Sequence, residues 1–243
     1  MAHLYFVAMG VTLEPRVSVT LEDEEARHAA TVARLGVGEK ILLGDGVGHI
    51  AHAEVSSITR HTVVLTVESV DTVSRPAPPP WLVQALAKGD RDERAVEACT
   101  ELGVDRIIPW QSARSIVQWS GDKLEKGVAR WQRIARQASK QSLRAWVPEI
   151  SPVATLKDLC GFAGTHQVIV LEPGAQLPLG HFVSARSQPV LVVVGPEGGI
   201  SPEERAALVA AGASEYSLGP NVMRTSTAGV AALAVLNNSV GRW

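Results

Sequence analysis

The chain has 243 residues, 46% of them hydrophobic and 20% charged, with a formal net charge of −2 at pH 7. That is enough for one large domain or two small ones with a full core, and too little net charge to mark a polyanion binder by overall charge alone. Two cysteines, Cys99 and Cys160, exclude a zinc cluster and argue against a structural disulfide.

The opening MAHLYFVAMG has neither the basic region nor the long apolar run of a signal peptide, and no stretch holds 18 consecutive apolar residues. A soluble cytoplasmic protein is the expectation. Residues 1–72 read as β-rich: LYFVA, KILLGD, HIAHAEVSSI and HTVVLTVESV are short and rich in β-branched residues, with Gly-containing turns GVGEK and GDGVGH between them. One short helix fits Glu22 to Leu35. A small barrel is the expected architecture. Ser74-Arg75-Pro76-Ala77-Pro78-Pro79-Pro80 follows, and four prolines in seven residues predict a stiff connector between domains.

From Trp81 strands alternate with helices. WLVQALA, VDRIIPW, QVIVLEP, PVLVVVG and SEYSLG read as strands. Asp90–Leu102, about Asp122–Arg144 and the small-residue segment TSTAGVAALAVLNNSV read as helices. This alternation predicts an α/β domain on a mostly parallel sheet. Residues 76–150 hold 12 Lys+Arg against 9 Asp+Glu, while the segments on either side are acidic in balance. Within the long helix, Lys126, Arg130, Arg133, Arg136, Lys140 and Arg144 recur at steps of three and four with no acid among them, a stripe roughly 120° wide at about 100° per residue. A solvated face usually mixes signs, since like charges at i,i+4 repel. The stripe therefore points to a nucleic-acid backbone.

The apolar run PVLVVV empties into Gly195-Pro196-Glu197-Gly198-Gly199, and a helix follows with Ser201 as its cap, Pro202 at the first position, Glu204 completing a capping box and Gly212 at its end. A short strand, Glu215–Leu218, delivers a second loop, Gly219 to Thr225. Thr225, Ser226 and Thr227 are candidates to cap the final helix. Two loops at one edge of an α/β sheet make a ligand site. There is no GxxxxGK[ST] and no GxGxxG, and Glu197 would repel an anion. A ligand with a positive centre and hydroxyl or amine donors fits better. S-adenosylmethionine has all three. Arg224 adds a donor fork. The histidines show no metal spacing, and Cys99 reads as a core residue.

VVVGPEGGISPEE and LGPNVMRTSTA, in that order and about 20 residues apart, together with KGDRDERAVEACTELGVDRIIPW, Arg114-Ser115 and HAATVARLGVGEKILLGDGVG, resemble the RsmE family of 16S ribosomal RNA uridine-N3 methyltransferases in the SPOUT superfamily. The resemblance covers nearly the whole chain. It implies a PUA-like β-barrel RNA-binding domain (1–73), the Pro-rich linker (74–80) and a SPOUT-type α/β methyltransferase domain (81–243) with a C-terminal trefoil knot, working as a homodimer on 16S ribosomal RNA or the small ribosomal subunit, with no metal and no membrane. It implies S-adenosylmethionine held by Leu171-Glu172-Pro173, by Gly195 to Gly199, and by Leu218, Gly219, Val222, Met223, Arg224 and Thr225. Methyl transfer to N3 calls for a cation at a uracil carbonyl, for which Arg224 is the first candidate and Arg114 the second. Glu197 is read as holding the cofactor, with acceptance of the N3 proton as the other option. The chain departs from the family at Lys140, where Glu is usual, and at Ser226, where an acid is common, so the general base stays open. A SPOUT ribose 2′-O-methyltransferase and a non-catalytic RNA-binding assembly factor remain the alternatives.

Overall fold

The structure, a computed structural model, describes residues 3–59, 61–185 and 188–243, all but the side chain of Val32. It divides into two compact units, Met1–Arg75 with Ser139–Val147, and Pro76–Ala138 with Pro148–Trp243.

In the first unit, strands β1 (Leu4–Phe6), β2 (Ser18–Leu21), β3 (Lys40–Gly44), β4 (His49–Ile58) and β5 (Val63–Thr72) form one sheet in the order β1-β3-β4-β5-β2. All pairs are antiparallel except β1 with β3. Alternate residues point inward, Ala51, Ala53 and Val55 on β4 and Val63, Leu65 and Val67 on β5, and they meet Tyr5, Ala26 and Ala29 in a closed core. The expected helix is shorter than its sequence pattern: α1 (Asp23–Arg27) passes into a π-helical turn over His28–Val32.

Ser139–Val147 also belongs to this unit, although its sequence pattern continues the long helix of the second. Val147 N donates to Gly46 O (3.0 Å) and Gly48 N to Ala145 O (3.1 Å). The Trp146 indole N–H reaches Val73 O at 2.7 Å. Gly48 sits at φ +111°, and a Cβ there would lie 2.5 Å from the Trp146 ring, so the GDGVG turn is a seat that only glycine can complete.

The second unit carries β6 (Pro80–Ala85), β7 (Arg106–Trp110), β8 (Glu149–Ile150), β9 (Gln167–Leu171), β10 (Val190–Val194) and β11 (Ser214–Tyr216) in one sheet, ordered β11-β9-β10-β6-β7-β8. Every pair is parallel. Its helices are α2 (Arg91–Glu101), α3 (Asp122–Gln141), α4 (Leu156–Phe162), α5 (Pro202–Ala211) and α6 (Thr225–Ser239). The strands read as unbroken apolar runs because both faces are buried. Leu82, Val192 and Val194 pack with Val96 and Cys99 of α2, Trp131 of α3 and Leu233 of α6. Val83, Leu191 and Val193 pack with Leu159 of α4 and Leu208 of α5.

Pro80, expected in the connector, is instead the first residue of β6, in register with Val190. The first position of a strand tolerates a missing N–H donor. Helix α6 follows edge strand β11 yet returns to pack over β6 and β10. At Gly229 a Cβ would lie 3.1 Å from Leu82 Cδ1 and 3.4 Å from Cys99 Sγ, so the small residues of this helix permit its close approach. Burial pushes the Cys99 thiol up to about 12, which fits a core residue.

Candidate functional site

The C-terminal ends of β11, β9 and β10 frame a cleft of about 410 Å³. Each delivers one of the loops singled out in the sequence. Leu171, Glu172 and Pro173 line the cleft after β9; Gly195, Pro196, Glu197 and Gly199 after β10; Leu218, Gly219, Val222, Met223, Arg224 and Thr225 between β11 and α6. Gly198 does not line it. Its carbonyl instead accepts a hydrogen bond from Arg114 Nη1 at 3.0 Å, which places Arg114 behind the loop.

The loop after β10 takes its shape from the start of α5. Ser201 Oγ accepts from Glu204 N (3.2 Å) and Glu204 Oε2 accepts from Ser201 N (3.0 Å), the capping box expected from SPEE, with Pro202 at the first position. Glu204 Oε1 also accepts from Ala113 N at 2.7 Å, so the cap ties α5 to the loop after β7. Gly195 is required by close approach: a Cβ there would stand 2.7 Å from Ile200 Cγ1.

Thr225 does not cap α6. The cap position is Arg224, with no side-chain cap bond. The Thr225 hydroxyl donates to Gly195 O (2.8 Å) and accepts from Gln84 Nε2 (2.8 Å), so one buried hydrogen-bond chain ties β6, the loop after β10 and the first turn of α6. A hydroxyl used between the Gln84 side chain and the Gly195 backbone is unavailable to its own helix end.

Glu197 is more committed than its place in the turn suggests. Its Oε1 accepts from Arg91 Nη1 (2.5 Å) and from Lys88 N (3.0 Å). Burial raises its pKa, but hydrogen bonds from its own amide, Arg91 and Lys88 outweigh that and hold the carboxyl below its usual range. Glu172 is engaged as well, 3.4 Å from Arg205 Nη1, while Arg205 forks onto Glu215 at 2.7 and 3.1 Å.

Asn221, within the 218–225 loop expected to hold the cofactor, also lines the cleft, and so do Arg91, Tyr216 and Ile200, which lie outside the expected loops. Ile200 directly follows one of them. Arg91 sits inside KGDRDERAVEACTELGVDRIIPW, but nothing local marks it for the cleft, because its partner Glu197 is 106 residues away in the chain.

The basic stripe is only partly a surface. Lys126 and Arg133 are exposed and line an open groove with half-buried Arg136. Arg130 is paired with Glu93 at 2.7 Å. Lys140 is a correction: it is buried, 2.6 Å from Glu25 and 5.2 Å from the Tyr5 ring centre, and so is removed from any RNA face. Arg144 lies past the end of α3, beyond Leu143 at φ +55°, so the helical stripe stops before it. Among the described residues no cluster of His, Cys, Asp and Glu could hold a metal ion.

The RNA methyltransferase domain family matches residues 75–237, and the RNA methyltransferase PUA domain family matches residues 21–68. The fold and the cleft are thus those of an RNA methyltransferase with an N-terminal PUA domain. A ribosomal RNA small subunit methyltransferase E of Mycobacterium bovis is 39% identical over 92% of this chain and 87% of its own length. That of Bacillus subtilis is 30% identical over 93% and 91%. A ribosomal RNA small subunit methyltransferase E from Neisseria gonorrhoeae, solved with bound S-adenosyl methionine, superposes with a TM-score of 0.88 at 28% identity over 98% of both chains. A Legionella pneumophila methyltransferase solved with bound SAM gives 0.89 at 29% identity, again over 98% of both. The chain belongs to the ribosomal RNA small subunit methyltransferase E family.

Proposed function

We propose that the chain transfers the methyl group of S-adenosylmethionine to N3 of a uridine in the 16S RNA of the small ribosomal subunit. The observation that carries this reading is the convergence of three strand-end loops, 171–173, 195–199 and 218–225, on one cleft. Its lining fits the cofactor. Leu171, Val194, Leu218 and Val222 supply apolar wall for a base and ribose, and the backbone turns at Gly199 (φ +71°) and Gly219 (φ +109°) allow close approach. When bound, the cofactor supplies an electrophilic methyl on a sulfonium.

The chain's own residues supply position and charge. Uracil N3 must lose its proton, and the charge that develops spreads onto the two flanking carbonyls. Arg224, exposed at the start of α6 and lining the cleft, is the cation assigned to one of them. Arg114 acts indirectly, holding the loop at Gly198. Lys126, Arg133 and Arg136, with Arg130, form the RNA-facing stripe. The β-rich unit is an RNA-binding domain. The C-terminal segment, in which α6 returns over β6 and β10, forms the knot of the SPOUT proteins, and the enzyme works as a cytoplasmic homodimer.

The test is nucleoside mass mapping of ribosomal RNA from a strain lacking the gene, followed by re-addition of purified protein and S-adenosylmethionine. Loss of N3-methyluridine and its restoration are expected. An unchanged map would overturn the reading.

A further inference from the structure

The cleft contains a second cation. Arg91 stands at the first position of α2, after the loop that leaves β6, and β6 lies next to β10 in the sheet. It lines the same cleft as Arg224. Its side chain is 42% exposed, so it is open to a ligand. Its direction is nevertheless fixed. Nη1 donates to Glu197 Oε1 at 2.5 Å and reaches Lys88 O at 3.4 Å, and the same Glu197 oxygen takes the Lys88 amide. Behind the loop, buried Asp92 accepts from Ala87 N (3.2 Å) and Glu93 N (2.9 Å). The 87–93 loop is therefore tied at both sides. These bonds use one nitrogen of a guanidinium that carries five N–H donors.

Leu171, Tyr216, Leu218 and Val222 line the cleft from β9, β11 and their loops, and Val194 and Ile200 from β10 and the loop after it. The two arginines reach it from different loops, Arg224 after β11 and Arg91 after β6, so a planar base set against the apolar wall has a guanidinium for each carbonyl. Arg114, the second candidate by sequence, lies outside the cleft with Nη1 on Gly198 O.

We propose that Arg91 donates to one carbonyl oxygen of the target uracil while Arg224 serves the other, and that Glu197 is the positioning residue that aims Arg91. This deepens the uridine-N3 reading and rests on it. In the step, the N3–H bond breaks and its proton passes to solvent. The N3–C bond forms as the methyl leaves sulfur, whose electron pair stays behind as the thioether. Before the transfer, the negative charge left by the departing proton is shared by N3 and the two carbonyl oxygens, each facing a guanidinium; the methylated base and the thioether are both neutral. Glu197 Oε1 is engaged by Arg91 and Lys88, which fits a positioning role.

The experiment compares wild type with Arg91→Ala, Arg91→Lys and Glu197→Gln on small ribosomal subunits, in single turnover at saturating cofactor, between pH 6.5 and 9.5. S-adenosylhomocysteine affinity is measured alongside by calorimetry. Wild type must form N3-methyluridine; if it does not, the functional reading fails, and this inference with it. Given active wild type, Arg91→Ala should lose about 100-fold in rate at pH 7 while its affinity for S-adenosylhomocysteine stays within about threefold. Its deficit should shrink as pH rises, and shrink again on RNA carrying 5-fluorouridine, whose N3 is more acidic. Glu197→Gln should show the same pH signature with a smaller deficit, and Arg91→Lys should recover part of the rate. Each deficit is compared across pH within one preparation, so a misfolded fraction cancels. A deficit that is constant in pH and unmoved by 5-fluorouridine overturns the proposal. So does a loss of cofactor-product affinity that accounts for the whole rate deficit, which would place Arg91 on the cofactor instead.

Discussion

Lys140 Nζ lies 2.6 Å from Glu25 Oε2, with the lysine side chain 7% exposed and the glutamate 20%. The structure gives the lysine a carboxylate and the face of Tyr5 as surroundings. A buried pair is costly to break on one side, because the remaining charge stays in a poor solvent. Lys140→Met should therefore destabilise the protein by about 2–4 kcal/mol. The double variant Lys140→Met, Glu25→Gln should recover most of the loss, since it leaves no unpaired charge. Urea unfolding of the four proteins of the cycle measures the coupling; additive losses would show that the pair contributes nothing beyond packing.

Asp92 predicts a pH effect on stability. Burial raises its pKa to about 6 despite hydrogen bonds from the Ala87 and Glu93 amides, with the Glu93 charge adding to the rise. In the unfolded chain the group titrates near 4. Between those values the folded state binds more protons than the unfolded state, so this group's contribution falls as pH rises from about 4 to about 6 and is level above that. The contribution lost across the window is on the order of 2–3 kcal/mol. Denaturation curves for wild type and Asp92→Asn, each taken from pH 4 to 8, isolate it: the difference between them should change within that window only. A difference independent of pH would mean that Asp92 titrates normally.

The two motif loops were legible because each is one continuous stretch with a local signal: an apolar strand, glycines, and a capped helix start. The parallel sheet was legible for the same reason, in apolar runs such as Val190–Val194 buried on both faces. What the sequence hid was chosen by tertiary contacts. The step pattern 126–130–133–136–140–144 is continuous, yet Glu93 takes Arg130, Glu25 takes Lys140, and the helix ends before Arg144. Four-residue β2 is too short to show a period. Pro80 looked like part of a spacer because a proline run signals no sheet, although its partner Val190 is far along the chain. Arg91 was silent for that reason too, since what makes it notable is Glu197.

The hydrogen-bond chain Gln84–Thr225–Gly195 separates two substitutions of similar size. Thr225→Val removes the hydroxyl that serves Gly195 O and leaves Gln84 Nε2 with only Ala85 O at 3.1 Å. A stripped buried carbonyl costs about 1–3 kcal/mol, and the loop after β10 should loosen with it. Gln84→Met removes a donor from Thr225 but also removes Gln84 Oε1, which is buried and has no hydrogen-bond partner among the described residues. That change should cost less than about 1 kcal/mol, because deleting an unsatisfied acceptor offsets the lost bond. Thermal unfolding ranks the two, and calorimetry with S-adenosylhomocysteine should show weaker binding for Thr225→Val alone. The reverse order would mean that the chain does not run through Thr225.

The RNA stripe makes a prediction that the buried lysine sharpens. Each phosphate contact releases condensed counterions, so removing one lowers the slope of log affinity against log salt by about 0.7–0.9. Arg133 and Lys126 are exposed and line the open groove on α3. Arg133→Ala and Lys126→Ala should each lower the slope by about that amount, and together by about twice as much. Lys140→Met, paired inward with Glu25, should leave the slope unchanged even though it was part of the same sequence pattern. Filter binding to 16S RNA fragments across salt concentrations reads wild type and the four variants, with stability checked separately so that unfolding is not mistaken for weak binding. A slope that falls for Lys140→Met but not for Arg133→Ala would mean that the RNA meets a different face from the one exposed on α3.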